Sequence, residues 1–114
     1  MRVAGRWEVD DYRSPQGTRP VKVFLDGLSV HAKAKVYAAL EMLATEGNQL
    51  QLPKSRALAD GLFEMRIGHR EGPFRVIYCF RPGRKIVLLH AFVKRTEQIP
   101  ARELDLARAR RSEP

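Results

Sequence analysis

The sequence LFEMRIGHREGPFRVIYCFRPGRKIVLLHAFVKRTEQ, residues 62–98, contains three runs with strand character separated by two short turns. The turns fall at residues 69–73 (HREGP) and at Pro82-Gly83, and proline and glycine favour reversal of the chain at such points. The third run is almost entirely apolar (IVLLHAFV), which is typical of a central strand covered on both faces. The stretch therefore predicts a three-stranded antiparallel meander.

The first two strands of this meander alternate between apolar and other residues. Because successive side chains point to opposite faces of a sheet, the apolar set is expected to face the core: Phe63, Met65, Ile67, Phe74, Val76, Tyr78 and Phe80. The opposite face then carries Arg66 and Arg75. Cys79 lies among apolar residues, and we interpret it as a small buried hydrophobe rather than a nucleophile.

The N-terminal part of the chain predicts a strand followed by a helical hairpin. Alternation of apolar and polar residues predicts an edge strand at residues 5–12. Apolar residues three and four positions apart predict one helix at residues 20–28, with Pro20 at its first position, and a second at residues 29–46, with Ser29 as its N-cap.

Two further segments complete the predicted topology. Residues 48–60 are predicted to form a connecting loop, and residues 100–111 a C-terminal helix. The predicted fold is α+β, in the order β-α-α-β-β-β-α, with a small antiparallel sheet and the N-terminal helical hairpin packed on one face. A chain of 114 residues accommodates one such unit, so we expect a single domain over residues 1–114.

The charge of the chain is strongly positive and unevenly distributed. The formal net charge is +8, and residues 54–114, with fourteen Lys/Arg and seven Asp/Glu, carry +7 of it. Such an excess indicates an anionic partner, with a solvated basic surface as the alternative. The lone cysteine permits no intramolecular disulfide and no long apolar run occurs, so we expect a cytoplasmic protein with no membrane partner.

The strand arginines are the residues that the apolar pattern leaves unexplained. Arg66 and Arg75 are expected to project from neighbouring strands on one face, with Lys94 and Arg95 at the exit of the third strand. Clustered cations repel one another and contribute little to folding, whereas a guanidinium fork can hold phosphate oxygens bidentately. The set therefore indicates a site for an anion, above all phosphate.

Local ion pairing is the alternative explanation for these arginines. Arg66 would pair with Glu64 or Glu71, and Arg75 with Asp60. Surface ion pairs are common and weak, so this explanation serves any single arginine. It serves the whole set less well, because basic residues outnumber acidic ones fourteen to seven in this half.

The sequence contains no motif for a metal, a cofactor or acyl transfer: it has no Walker loop, HExxH, paired-cysteine motif or Ser-His-Asp arrangement. Cationic residues can promote RNA cleavage without a metal, since the ribose 2′-OH is the nucleophile and the protein need only align it, stabilise the phosphorane and move protons. Arginine cannot serve as the base. The candidates for proton transfer are Lys94, His90 and Glu64. His90 could instead be a hydrogen-bonded core residue, and Glu64 could orient Arg66.

These residues also carry a family resemblance. The segments LADGLFEMRIG, FRVIYCF and KIVLLHAFVKRTEQIP, followed by a basic helix, resemble the RelE/ParE superfamily of toxins, most closely its HigB-like, phage-related branch. The resemblance implies a small antiparallel sheet with two helices on one face, and ribosome-dependent endonucleolytic cleavage of mRNA on the other. It also implies neutralisation by a cognate antitoxin, commonly a helix-turn-helix protein, with DNA contacted only through the antitoxin complex.

The resemblance implies roles for individual residues. Arg75 matches the strand arginine used on the scissile phosphate, and Arg66 matches a basic position on the preceding strand. Lys94 and Arg95 match the basic pair after the last strand. We expect RNA contacts from three further basic residues, which are Lys54, Arg81 and Lys85.

The chain departs from the family pattern at its C-terminus. Residues 99–111 contain no tyrosine, whereas RelE has a catalytic tyrosine there, so the resemblance does not identify the general base. Ile99 replaces the hydroxyl residue that usually precedes the proline of the last helix in the HigB-like branch. We therefore predict that this helix lacks a side-chain N-cap, forgoes roughly 1 kcal/mol and frays readily.

Two alternative functions belong to other classes. One is a ParE-like poison of DNA gyrase that cuts nothing, because the superfamily contains such proteins too. The other is a non-catalytic nucleic-acid-binding phage accessory protein.

Overall fold

A computed structural model describes residues 2–113, in which six strands form one sheet with helices on both faces. The strands are Arg2–Ala4 (β1), Glu8–Asp11 (β2), Ser55–Ala57 (β3), Phe63–Ile67 (β4), Phe74–Arg81 (β5) and Lys85–Val93 (β6). The helices are Pro20–Asp26 (α1), Val30–Glu46 (α2) and Ala101–Arg111 (α3), with a single 3-10 turn at Gly47–Gln49. The predicted α+β class and helical hairpin are confirmed.

The strand order across the sheet is β1-β2-β6-β5-β4-β3. The predicted meander is the antiparallel set β4, β5 and β6, and β6 lies in the interior as expected. The pairing of β2 with β6 is parallel, so the sheet is mostly rather than wholly antiparallel.

Two short strands depart from the predictions. The predicted edge strand at residues 5–12 is wrong in position, because β2 lies inside the sheet and β1 forms the edge. The predicted loop at residues 48–60 contains β3, which forms the opposite edge. Each of these edge strands has three residues, which is too short for an alternation of apolar residues to be recognised.

Local chemistry sets the bounds of the helical hairpin as predicted. Pro20 stands at the start of α1, and the Ser29 Oγ accepts a hydrogen bond from the Ala32 backbone N–H at the start of α2. Gly47 ends α2 with φ +52°, and a Cβ there would overlap Nε1 of Trp7. A larger residue at this position would therefore meet both backbone strain and a steric clash.

Helices on opposite faces of the sheet cover two separate apolar clusters. The larger cluster joins α1 and α2 to the predicted core face of β4 and β5, including Met65, Val76 and Tyr78. The smaller cluster lies on the opposite face and joins Ala107 of α3 to Ile77, Cys79, Leu62, Leu89 and Phe92. Burial raises the pKa of the Cys79 thiol, which fits the predicted role of a small core residue.

Two hydrogen bonds between α3 and the sheet hold the C-terminal part of α3. Arg81 Nη2 on β5 donates to the Arg111 carbonyl at 2.7 Å, and Arg110 Nη1 donates to the Leu89 carbonyl at 2.9 Å. At the other end Pro100 is the N-cap and makes no side-chain capping bond, as predicted. None of the helices within residues 2–113 is long and apolar enough to cross a membrane.

Candidate anion-binding site

A buried carboxylate organises three arginines on the α3 side of the sheet. Glu64 is fully buried, and its Oε1 accepts hydrogen bonds from Arg56 Nε at 2.8 Å and Arg66 Nε at 3.2 Å. Arg75 Nε lies 3.2 Å from Oε2 in an ion pair that is not aligned as a hydrogen bond. One carboxylate thus pairs with three guanidinium groups, so this arginine cluster carries a net formal charge of +2.

The strand register explains why these side chains meet. Arg56 is directly opposite Glu64 in the β3–β4 pair, and Arg66 is directly opposite Arg75 in the β4–β5 pair. Like charges directly opposite each other on one face of a sheet repel. The Glu64 carboxylate offsets this repulsion, because it lies one position along the same face of β4 from Arg66.

The ion-pair alternative describes part of the site correctly. Arg66 pairs with Glu64 as that alternative proposed. The proposed partner of Arg75 is wrong, because Asp60 pairs with Arg108 Nε at 2.7 Å, whereas Arg75 pairs with Glu64. Since all three arginines share one carboxylate, local pairing does not neutralise them.

The three arginines differ in their access to solvent. The exposed fraction of the side chain is 41% for Arg56, 32% for Arg66 and 13% for Arg75. Glu64 has no exposed surface. The geometry therefore lets the arginines meet a ligand and leaves Glu64 behind them, so its candidate role as a positioning residue fits better than a role as a base.

The half-buried His90 lies beneath α3. Arg110 Nη1 is 3.2 Å from His90 Nδ1, and because arginine can only donate, Nδ1 must accept and the neutral ring carries its proton on Nε2. Nε2 lies 3.2 Å from Glu103 Oε1. Burial lowers the pKa of His90 and outweighs the raising effect of Glu103. Both ring nitrogens thus face side chains of α3, as expected for a core histidine.

The basic pair after β6 lies near Arg75. Phe92 is directly opposite Arg75, and Lys94 follows two positions later, so strand alternation places it diagonally from Arg75, at about 7–8 Å between Cα atoms. The Lys94 backbone N–H donates to the Pro73 carbonyl at 2.9 Å, which extends the β5–β6 pairing beyond the strand. Lys94 is half-buried, whereas Arg95 is exposed.

The three predicted RNA-contacting residues lie at two ends of the sheet. Lys54 is exposed beside the arginine cluster, where its carbonyl accepts the Arg66 backbone N–H at 2.8 Å. Arg81 and Lys85 pair at the opposite end, next to the β5–β6 turn. Part of the Arg81 guanidinium is occupied by the Arg111 carbonyl, whereas Lys85 is exposed.

The sequence profile of a family described as Phage derived protein Gp49-like (DUF891) matches residues 23–112. That match spans most of the chain and includes β3 to β6, the arginine cluster and α3. The chain belongs to the Gp49-like family. This phage-derived family is one of RelE/HigB-like proteins of the type II toxin class, which agrees with the resemblance seen in the sequence. No curated protein showed significant similarity to the chain.

The sequence does not predict three contacts in this region, which involve Arg56, Glu103 and Arg110. Arg56 was assigned to a loop, although it lies on β3 and donates to Glu64. The spacing of Lys54 and Arg56, two residues apart, was the available signal. The contacts of Glu103 and Arg110 with His90 cannot be read from a local sequence pattern, because they join β6 to α3 across an irregular connection.

Proposed function

We propose that this Gp49-like protein is the toxin of a type II toxin-antitoxin system and cleaves mRNA endonucleolytically at the ribosome. The observation that supports the proposal best is the arginine cluster Arg56, Arg66 and Arg75 around the buried Glu64. A cluster with excess positive charge and a fixed geometry is suited to bind a phosphodiester and to stabilise the added negative charge of a phosphorane.

The proposed reaction needs no group outside the RNA other than proton donors, proton acceptors and cations. The ribose 2′-oxygen attacks phosphorus as its proton leaves for a base, and the bond from phosphorus to the 5′-oxygen breaks as that oxygen gains a proton. The products are a 2′,3′-cyclic phosphate and a 5′-hydroxyl. Arg66 and Arg75 would hold the non-bridging oxygens, and Glu64 would fix the two guanidinium groups.

Lys94 is our candidate for proton transfer. It lies diagonally from Arg75 along the strand register, so a phosphate held by Arg75 is within reach of its flexible side chain. Arg95 would add a further phosphate contact from the exposed side of the same segment. His90 is the weaker candidate, because α3 would first have to release one of its ring nitrogens.

Membership of this family suggests the proposed partners. We propose that a helix-turn-helix antitoxin neutralises the protein, that mRNA on the ribosome is its target, and that it acts in the cytoplasm. DNA would be contacted only through the antitoxin complex. An excess of positive charge on the toxin suits both an acidic antitoxin surface and RNA.

Replacement of Arg75 tests the assignment. We expect Arg75→Ala to lower mRNA cleavage on translating ribosomes by on the order of a hundredfold, because a guanidinium that stabilises transition-state charge is lost. Arg108→Ala is the matched control, since Arg108 pairs with acids on another part of the surface; it should keep full activity. The fold of each variant is checked by circular dichroism.

Three other results would overturn the proposal. Full cleavage by a folded Arg75→Ala protein would contradict the proposal that the cluster stabilises the phosphate. DNA damage with intact message on expression would indicate a gyrase poison. Salt-dependent RNA binding without cleavage, even with ribosomes present, would indicate a non-catalytic binding protein.

A further inference from the structure

A cavity of about 550 Å³ opens beside the arginine cluster, between α2 and the open edge of β4. Its apolar wall is formed by Ala38, Ala39 and Met42 of α2 together with Ile67 of β4. Basic residues also line the cavity: Lys35, Lys54, Arg66 and Arg75. The volume lies within the range of small-molecule sites, roughly 300–1,000 Å³.

The short β3 strand leaves this cavity open. β3 pairs with β4 only as far as Met65, and the Lys54 carbonyl adds one further bond to the Arg66 backbone N–H at 2.8 Å. Beyond that point Ile67 of β4 and the following Gly68 line the cavity and have no partner strand on the β3 side, although Ile67 pairs with Phe74 of β5 on its other side. The cavity therefore opens at the edge of the sheet, where Arg66 and Arg75 contribute to its lining while their guanidinium groups contact Glu64 on the α3 side.

The combination of cations with an apolar wall selects a ligand that has both an anionic and a flat apolar part. Arg66 and Arg75 belong to the arginine cluster and also line the cavity. A nucleotide whose phosphate is held by these two arginines would place its base against the side of the cavity formed by Met42 and Ile67. Thioether side chains such as that of Met42 make favourable contacts with aromatic rings.

We propose that this cavity is a nucleobase subsite, which binds the nucleotide next to the phosphate held by Arg66 and Arg75. The inference rests on the proposed function in placing an RNA phosphate at these arginines. Lys54, whose Nζ lies 3.4 Å from Met42 Sδ, stands where it can contact the edge of the base. With this subsite, the preference for one base over another depends on the residues of α2 that line the cavity rather than on the arginines.

Binding of nucleoside monophosphates to the free protein tests the subsite. The probes are AMP, GMP, CMP and UMP, with ribose 5-phosphate as the ligand that lacks a base, and binding is followed by the Met42 methyl resonance. We expect nucleoside monophosphates to shift this resonance and to bind about tenfold more tightly than ribose 5-phosphate, because contact of the base with Met42 and Ile67 adds to phosphate binding.

A pair of alanines on α2 supplies matched variants. Ala38 lines the cavity and Ala34 does not, and both are exposed. We expect Ala38→Leu to occupy the cavity and to weaken AMP binding about tenfold, to the level of ribose 5-phosphate, because the base loses its contact with Met42. Ala34→Leu should leave AMP binding unchanged, and neither variant should alter the binding of ribose 5-phosphate.

The possible outcomes separate the subsite from the proposed function. Equal binding of AMP and ribose 5-phosphate, or no effect of Ala38→Leu, would overturn the subsite even if mRNA is cleaved. Displacement of the Met42 signal by an acidic amphipathic peptide with no response to nucleotides would overturn it in favour of a protein partner. Base-dependent binding by a protein that cuts no RNA would support the subsite and contradict the nuclease.

Discussion

Glu64 allows two arginines to occupy directly opposite positions on neighbouring strands. Arg66 and Arg75 would repel each other without it, and the carboxylate itself could not be buried without cationic partners. The arginines and the carboxylate therefore stabilise one another in this arrangement. Because the arginines outnumber the carboxylate, the cluster is also incompletely neutralised and gains from an added anion.

Removal of this carboxylate charge should destabilise the fold. We expect Glu64→Gln to lower the free energy of unfolding by about 2–3 kcal/mol, because three arginines lose their common counter-ion. Chemical denaturation measures the change, and Glu71→Gln at an exposed position is the control. Added phosphate should restore more stability to Glu64→Gln than to the unaltered protein. An unfolding free energy equal to that of the control would contradict the proposed role.

His90 gives a prediction about pH. Burial lowers its pKa below the ordinary value of 6.5, so the unfolded chain takes up a proton more readily than the folded one as the pH falls. This lowers stability as the pH decreases through the ordinary histidine range. The groups around the ring are Glu103, Arg110 and Arg102, and the two arginines also disfavour its protonation.

Replacement of His90 by glutamine tests this contribution. Glutamine keeps an acceptor for Arg110 but cannot titrate. We expect the loss of stability between about pH 8 and about pH 5.5 to be smaller in His90→Gln than in the unaltered protein. His31→Gln, at an exposed site on α2, should not change the pH dependence. An unchanged pH dependence in His90→Gln would show that the titration of His90 does not contribute to the pH dependence of stability.

At the scale of elements, α3 is held firmly at one end and weakly at the other. In its last turn, the Arg111 carbonyl accepts a hydrogen bond from Arg81, and the Arg110 side chain donates one to the Leu89 carbonyl. At its first turn, Pro100 provides no side-chain cap. The predicted fraying therefore applies to the first turn rather than to the whole helix. This is the turn that carries Glu103, the partner of His90.

A serine at the N-cap should strengthen this first turn. The backbone of Pro100 has φ −58° and ψ 142°, a conformation that a capping serine also adopts. We expect Pro100→Ser to be about 1 kcal/mol more stable than Pro100→Ala, because only serine can accept a bond from an orphan N–H. Hydrogen exchange of residues 101–104 measures the difference. Equal exchange in the two variants, or a first turn already as protected as β6, would contradict the prediction.

The elements also show what the sequence can and cannot predict. Long amphipathic segments such as α2 and strands with clear alternation such as β5 were predicted correctly, because their periodicity reports one buried face. The three-residue edge strands were missed, since they owe their pairing to β2 and β4 rather than to their own pattern. The irregularity between β5 and β6 was missed too. Opposite Ile77 and Tyr78 the partners are His90 and Leu88, so Leu89 is an extra residue on β6.

The same distinction applies to the site. Strand alternation predicted that Arg66 and Arg75 share a face, and the register confirms it. The contribution of Arg56 and the burial of His90 beneath α3 depend on contacts between segments far apart in the chain, which no local pattern records. The cavity beside α2 likewise arises from where β3 stops.

At the scale of the whole molecule, positive charge occupies both ends of the central strands. The arginine cluster and Lys54 lie at one end, and Lys85 lies at the other, about 20 Å away as estimated from the rise of β5 between Arg75 and Arg81. A short RNA held by the cluster cannot reach Lys85, whereas a longer strand that passes beside α3 can, because α3 covers the sheet between the two ends.

The length of the bound RNA should therefore separate these two ends. Lys54 and Lys85 are both exposed lysines and form a matched pair. We expect Lys54→Ala to weaken binding of a dinucleotide and of a longer single strand alike, and Lys85→Ala to weaken only the longer strand. Each lost phosphate contact should reduce the slope of log affinity against log salt by about 0.7. Fluorescence anisotropy over a range of salt concentrations measures both quantities. Weaker dinucleotide binding in Lys85→Ala would show that the RNA does not lie along the sheet from the arginine cluster, since Lys85 would then belong to the first binding position.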